Sequence, residues 1–401
     1  MEKKKQKKNI FLFLIIYFTI IIISEQFYRN PLFKYSYETF EPIIQDKLGK
    51  DNFISFIFKT ASFLGRNILV YGINITICIF FYSYQEIIIT LLTIFTSISL
   101  VGYFKILYHN PRPYWINSNI KLIDDLGYGN PSGHSFTSST GYLCIFYLIS
   151  NFEIFKKKKN NYLFFSIYFI IFFWIFIIMF SRLYFAAHSI NQVIFGFVLG
   201  CGIFILYFGY FELQNYSSID FFKLFDEKKN YVIPICLIYL FSILIPYFLI
   251  EEPDINKIKI DKKIPKYRIF NAESIFAQIN IVIIFGCYLG ILFINKKIKD
   301  NKLNEEEIKN ILGKYENNEI NLYNKLLRFL VNIIFCLPGL FFLIPFDNLL
   351  LIFIFKIGLP FFLTAFSFFG PGIYYSYIFI EKKRKEKNLK LNILIDEETN
   401  K

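Results

Sequence analysis

The chain has 401 residues and a mass of 47.8 kDa, with 55% hydrophobic residues, 21% aromatic residues and a mean hydropathy of +0.44. A soluble globule has too little interior for this apolar content, and the composition excludes disordered, collagen-like and disulfide-stapled chains. The net charge of +13 lies in Lys-rich runs beside apolar blocks, which is a topology signal and not the footprint of a nucleic-acid-binding face.

A bilayer core is crossed by about 20 apolar residues in a helix. On that ruler the chain offers ten spans, at residues 9–25, 67–84, 86–108, 134–152, 162–181, 189–212, 231–250, 274–295, 328–346 and 350–380. The first follows Lys3, Lys4, Lys5, Lys7 and Lys8 without a small-residue cleavage site after Ser24, so it is expected to stay as an anchor. Residues 26–66 are amphipathic rather than spanning. The short loop with Lys156 to Lys159 places that end of the bundle in the cytosol by the positive-inside rule. The hydrophilic stretch 296–327, with Glu305, Glu306, Glu307 and Lys309, is expected to form a solvated cytosolic helix, and 381–401 a cytosolic basic tail. The last apolar block carries Lys356, Pro360 and Gly370-Pro371-Gly372, which predicts a kinked helix or a helix followed by a re-entrant turn. The fold class expected is all-α, a polytopic transmembrane bundle of ten spans forming one integral membrane domain over 1–401. Cys78, Cys144, Cys201, Cys236, Cys287 and Cys336 all fall in apolar segments without paired spacing, as free core thiols do.

The three histidines, His109, His134 and His188, all lie at ends of spans on the side opposite the cytosol. Lys105 and Arg112-Pro113 close the third span, Pro131-Ser132-Gly133-His134 opens the fourth, Ser181-Arg182 closes the fifth, and His188 opens the sixth. Singly, each of these has an ordinary explanation. A Lys or Arg at a span end snorkels to the interface, Tyr114 and Trp115 fit the aromatic belt, His109 fits a bystander in its loop, and Asp124 and Asp125 fit plain loop charges. Together they gather ionisable groups at membrane depth, where such groups are costly and mark functional sites. Lys105, Arg112 and Arg182 suit a phosphate dianion, Arg in bidentate geometry, and the helix start at Ser132-Gly133 adds N–H donors with a favourable dipole. Two histidines then supply a nucleophile and an acid for covalent phosphoryl transfer, with no metal ion or other cofactor required.

These three motif parts, in this order, resemble the type 2 phosphatidic acid phosphatase and vanadium haloperoxidase superfamily in its membrane branch. Arg112-Pro113-Tyr114-Trp115 and the run from Ser181 to His188, with Gln192 four residues on, are similar to the endoplasmic-reticulum glucose-6-phosphatases. The resemblance implies a six-helix-type phosphatase core over 86–212, nine spans with an extra N-terminal anchor, and an active site on the luminal face of an endomembrane. It makes His188 the nucleophile, His134 the acid for the leaving group, and Lys105, Arg112, Ser132, Gly133 and Arg182 the phosphate ligands. Most of the superfamily has Asp where this chain has Gln192. The amide is expected to orient His188 while stabilising imidazolium less than a carboxylate does.

The expected activity is a metal-independent phosphomonoesterase. Its substrate is a sugar phosphate on the local similarity, or a lipid phosphate on the site's place at the membrane edge. Partners are that substrate and membrane lipids, not nucleic acid, and the sequence sets no oligomeric state. Two further readings stay open: an anion-binding or transport protein without turnover, and halide oxidation with bound vanadate.

Overall fold

A computed structural model of the chain describes residues 2–49, 52–81, 84–120, 122, 127–150, 161–209, 218–242, 244–251, 274, 277–303, 307–308, 311, 330, 358–379 and 382. Every regular element among the described residues is helical. They fall into two compact units, one of Met1–Ile77, Ile89–Asn215 and Leu237–Ile281, the other of Cys78–Ile88, Tyr216–Cys236 and Val282–Lys401.

The first unit begins with α1 (Glu2–Tyr35), which passes through a π-helical turn at Ser36–Phe40 into α2 (Glu41–Leu48). This helical run is longer than a 9–25 anchor. Residues 26–66 continue it and then add α3 (Phe53–Leu64), whose first turn is capped by Asn52 accepting from the Ser55 N–H at 3.0 Å. Next come α4 (Asn67–Phe81) and α5 (Tyr84–Tyr108), of which Cys78–Ile88 belong to the second unit, and the single turn α6 (Pro113–Ile116). The site-bearing helices follow: α7 (Gly133–Ser150), α8 (Asn161–Tyr184) and α9 (Ile190–Phe204).

Among the described residues, six helical runs are long and apolar enough to cross a membrane: Leu12–Leu48, Glu86–Ile116, Phe165–Tyr184, Ile190–Gly209, Lys229–Leu249 and Ile279–Asp300. The predicted ten are not reached among the described residues. The 328–346 span lies outside them apart from residue 330. The 134–152 span is a helix, but one whose Ser135, Thr137, Ser138, Ser139 and Thr140 are polar and fully buried, so it faces protein rather than lipid.

That polar face has a packing reason. Without a hydrophobic drive between helices in lipid, association depends on close backbone approach and interhelical hydrogen bonds. Gly196 and Gly200, one turn apart on α9, lie directly against α7. A Cβ on Gly196 would come within 2.6 Å of the Ser132 carbonyl, and one on Gly200 within 2.0 Å of Ser139 Oγ and 2.5 Å of the Phe136 carbonyl. Thr140 Oγ1 donates across the same seam to the Gly200 carbonyl at 3.2 Å. Ile21 of α1, Val101 of α5, Phe136 of α7 and Phe195, Leu199 and Ile203 of α9 form the apolar core beside it.

The second unit holds α10 (Ser218–Glu227), the start of α11 (Lys229–Ser242), most of α13 (Ile279–Asp300) and α14 (Leu359–Ser367); α12 (Leu244–Leu249) belongs to the first. Gly286 and Gly290 of α13 make a second close seam, against Phe362 and Gly370. The Gly370-Pro371-Gly372 step does not break the chain into a re-entrant turn. It sits in a π-helical turn, Phe368–Gly372, inside a helical run that continues to residue 379, the wider turn accommodating the missing proline N–H. Of the hydrophilic stretch 296–327, the described part is the end of α13, a turn and helical positions 307–308 and 311; the rest, and all of 381–401 except residue 382, lies outside the described residues. Asp226 on α10 accepts from Lys229 at 3.2 Å and from Lys299, and these two hydrogen bonds hold its carboxyl below the usual carboxylate range. Cys144, Cys201, Cys236 and Cys287 are free thiols; the side chains of Cys78 and Cys336 lie outside the described set.

Candidate active site

Four helix ends in the first unit carry the predicted residues other than Arg112, which is the N-cap of α6: the last turn of α5, the start of α7, the last turn of α8 and the start of α9. The chain leaves α5 through Asn110-Pro111-Arg112 and returns through Gly127 to Asn130 before α7 begins. Lys105, Arg112, Ser132, Arg182, His188 and Gln192 are all buried, while Gly133 and His134 are partly accessible.

His188 is fixed through both ring nitrogens. Nδ1 lies 2.8 Å from the carbonyl oxygen of Gly129, a partner that can only accept, so the proton of the neutral ring belongs on Nδ1. Nε2 keeps its lone pair and faces Arg112 Nη1 at 3.2 Å. Arg112 is itself locked: Nε donates to the Gly127 carbonyl at 2.8 Å and Nη1 to the Ala187 carbonyl at 2.9 Å. An imidazole lone pair beside a fixed guanidinium is the arrangement a nucleophile and its anionic target require.

The turn that presents His188 is tightly made. The N–H groups of Ala187 and His188 donate to the Arg182 carbonyl at 3.0 and 3.3 Å, and Ala186 takes a positive φ of 53°, a conformation its small side chain tolerates better than a branched one would. Tyr184, Phe185 and Ala187 are packed by Ile44, Leu48, Phe58 and Leu122, and Gln45 of α2 donates to the carbonyls of Tyr184 at 2.9 Å and Ile120 at 2.8 Å.

Gln192 does not occupy the place predicted for it. It completes a capping box with Ser189, whose N–H reaches Gln192 Oε1 at 3.2 Å, and Nε2 donates to the Pro111 carbonyl at 2.8 Å. Gly129 is wedged against this amide, since a Cβ there would lie 2.5 Å from Nε2, 2.7 Å from Oε1 and 2.7 Å from the Pro111 carbonyl. The amide therefore packs against the residue whose carbonyl orients His188, and Gly129 takes the acceptor's part.

At the start of α7 the Ser132 N–H is donated to the Gln192 carbonyl at 3.0 Å, so the helix's offering to an anion begins at Gly133. A Cβ on Gly133 would meet Val101 at an ordinary 3.6 Å. Lys105 lies one turn beyond Val101 on α5, which puts it on the face that meets this helix start. Ser132 Oγ accepts from the Ser135 hydroxyl at 3.0 Å.

α3 supplies two contacts that the sequence did not suggest. Ser62 Oγ accepts from Arg182 Nη1 at 2.6 Å, and Gly65, just past the end of α3, lies beside His134, where a Cβ would stand 3.4 Å from the imidazole Cδ2. The structure thus joins Arg112 to His188 directly, Ser132 to Gln192 through the main chain, and Arg182 to His188 through the turn. His109 is exposed, at a φ of 36°, with its ring edge-on to Tyr128 at 6.4 Å between centroids. Asp124 and Asp125 lie outside the described residues. No group of three or more His, Cys, Asp or Glu side chains able to hold a metal ion occurs among the described residues.

Residues 86–216 match the family model of the PAP2 superfamily. The match takes in all eight predicted site residues. No curated protein and no solved structure matches the chain.

Proposed function

We propose that this chain, whose residues 86–216 belong to the PAP2 superfamily, is an integral membrane phosphomonoesterase that works through a phosphohistidine on His188. The observation that carries this reading is the Gly129–His188–Arg112 line, which leaves Nε2 unprotonated and aimed at a fixed cation.

Arg112, Arg182 and Lys105 would take the non-bridging phosphate oxygens together with the N–H of Gly133, and would hold the charge that spreads over those oxygens as the bond breaks. His188 Nε2 attacks phosphorus, the bond from phosphorus to the alkyl oxygen breaks, and His134 protonates the departing alkoxide. Water then gives its proton to His134 and attacks the phosphohistidine, releasing inorganic phosphate and regenerating neutral His188. Gly129 accepts from the Nδ1 proton throughout and steadies the positive ring of the intermediate. Three fixed cations supply the charge that a metal ion would otherwise bring.

The site sits at helix ends of a membrane body, which fits a substrate whose phosphate is presented at the bilayer edge: a lipid phosphate, or a sugar phosphate arriving from the luminal side of an endomembrane. The test is phosphate release by the full chain in detergent on phosphatidic acid and glucose 6-phosphate in parallel, with His188→Ala as the blank. Mutant-sensitive release from either establishes the phosphatase and names the substrate class. Silence on both, with undisturbed vanadate binding, favours the anion-binding reading.

A further inference from the structure

The N-terminal helix lies outside residues 86–216, yet it places a carboxylate against the loops that carry the site. Glu25 of α1 is fully buried. Arg29, one turn on, donates from Nε to its two oxygens at 2.8 and 2.9 Å and from Nη2 as well, and the Arg29 guanidinium lies over the Tyr108 ring, 4.4 Å from its centroid. Glu25 Oε1 also accepts from Asn130 Nδ2 at 2.9 Å.

Asn130 is where the two site loops meet. The same Nδ2 stands 3.1 Å from Asn110 Oδ1, and the Gly129 N–H donates to the Asn110 carbonyl at 2.9 Å. Asn110 comes two residues before Arg112, and Asn130 two before Ser132. Asn130 and Gly129 therefore join the loop that supplies Arg112 to the loop that supplies both the His188 acceptor and the start of α7, and Glu25 holds that junction through Asn130. A carboxylate at membrane depth is costly, and a buried ion pair contributes little net stability, so packing alone gives a poor account of Glu25.

We infer that Glu25, held by Arg29, is a positioning residue that sets the separation of the Asn110–Arg112 and Asn130–Gly133 loops, making the N-terminal helix part of the phosphate pocket. The inference rests on the phosphomonoesterase reading above. A small misplacement of fixed groups around a reacting phosphate is worth up to about 100-fold in rate.

The experiment compares the full wild-type chain with Glu25→Ala, Glu25→Gln, Asn130→Ala and the Glu25→Ala/Asn130→Ala double variant. The readouts are kcat and KM on p-nitrophenyl phosphate, the inhibition constant of orthovanadate, and the melting temperature. Glu25→Ala and Asn130→Ala are each expected to lower kcat/KM by about 10- to 100-fold and to weaken vanadate by a similar factor. The double variant should be no worse than the weaker single one, as expected of two residues in one linkage. Glu25→Gln, which keeps the oxygen shared by Asn130 and Arg29, should recover most of the loss. A purely structural role would lower the melting temperature or yield while leaving vanadate inhibition of the folded fraction unchanged. Where Glu25→Ala does not fold, Asn130→Ala reads the same linkage with the ion pair intact. Unchanged constants in Asn130→Ala, or additive losses in the double variant, overturn the inference alone. A wild-type chain that neither hydrolyses p-nitrophenyl phosphate nor is stabilised by vanadate overturns the phosphomonoesterase reading and this inference with it.

Discussion

The Nδ1 atom of His188 lies 2.8 Å from the main-chain carbonyl of Gly129, so a peptide oxygen does for this imidazole what a carboxylate four residues downstream does in most of the resembling superfamily. A carbonyl selects the same tautomer as a carboxylate, through a weaker, neutral hydrogen bond. It brings no full negative charge, so the positive ring of the proposed phosphohistidine would draw less stabilisation from its partner.

Gly129→Ala tests this bond. The added methyl would fall 2.5 to 2.7 Å from the Gln192 amide and the Pro111 carbonyl, and the main chain is the part with least room to move. The carbonyl should turn away from His188, with a loss of about 100-fold in kcat/KM from the misdirected ring. Gln192→Ala removes one of the two obstacles, so Gly129→Ala/Gln192→Ala is expected to be more active than Gly129→Ala alone. Steady-state kinetics on p-nitrophenyl phosphate with the four proteins settles it; a double variant weaker than Gly129→Ala would remove the amide from the argument.

His188 and His134 should fail differently. His188→Ala is expected to lose both turnover and acid-labile phosphate labelling, because no other imidazole stands at Arg112. If His134 protonates the leaving alkoxide, His134→Ala should retain far more activity on an aryl phosphate than on an alkyl phosphate, the aryl oxide leaving without help; general-acid catalysis is worth about 100- to 10,000-fold. Equal losses on the two substrates would assign His134 another role.

Much of this site was legible in the sequence because the motif parts lie at helix ends, where spacing along the chain translates directly into position. Arg112, Ser132, Arg182 and His188 could be named from three short stretches. Gly129 could not, since its contribution is a carbonyl oxygen that every residue type possesses. Ser62 looked like any hydroxyl in an apolar helix, and Glu25 like a charge where a span meets water. The assignment of Gln192 followed from its offset of four residues from His188. In the structure its oxygen is taken by the cap of α9 and its Nε2 by the Pro111 carbonyl, so Gln192 meets His188 through Gly129 and not directly. The ten spans read from hydropathy are not all reached because 328–346 lies almost wholly outside the described residues, while α7, apolar enough in sequence to be counted, buries a hydroxyl-rich face against protein.

Arg182 offers a test of phosphate binding apart from chemistry. Its Nη1 donates to Ser62 at 2.6 Å, and Arg182 is 1% exposed, so Ser62→Ala withdraws a hydrogen bond from a buried charge, a change of about 1.5–3 kcal/mol. The variant should show a KM and a vanadate inhibition constant raised by about tenfold or more, with a smaller change in kcat, because the cation is loosened while His188 and Arg112 keep their contacts. A fall in kcat at unchanged vanadate inhibition would place Ser62 outside the phosphate pocket. On the proposed reading, in which side chains supply the cations, chelators should leave wild-type activity intact, and a loss would overturn that part of it.

The seam between α7 and α9 packs the helix starts that carry Ser132 and Gln192 against each other. Gly200→Ala would bring a methyl to 2.0 Å from Ser139 Oγ, which can rotate away, but also to 2.5 Å from the Phe136 carbonyl, which cannot. Overpacking of this kind costs about 1–3 kcal/mol. Separating the two helices also lengthens the bond from the Ser132 N–H to the Gln192 carbonyl, because both groups lie one to two turns away along the same seam. Gly200→Ala is therefore expected to lower the melting temperature and to weaken vanadate binding together, although Gly200 touches no site residue. Gly209→Ala, in the same helical run, is the control: among the described residues its Cβ would meet Ile205 at an ordinary 3.6 Å, and both quantities should stay near wild-type values. A Gly200→Ala protein that melts early yet binds vanadate normally would show that the helix starts are held by their own loops and not by the seam.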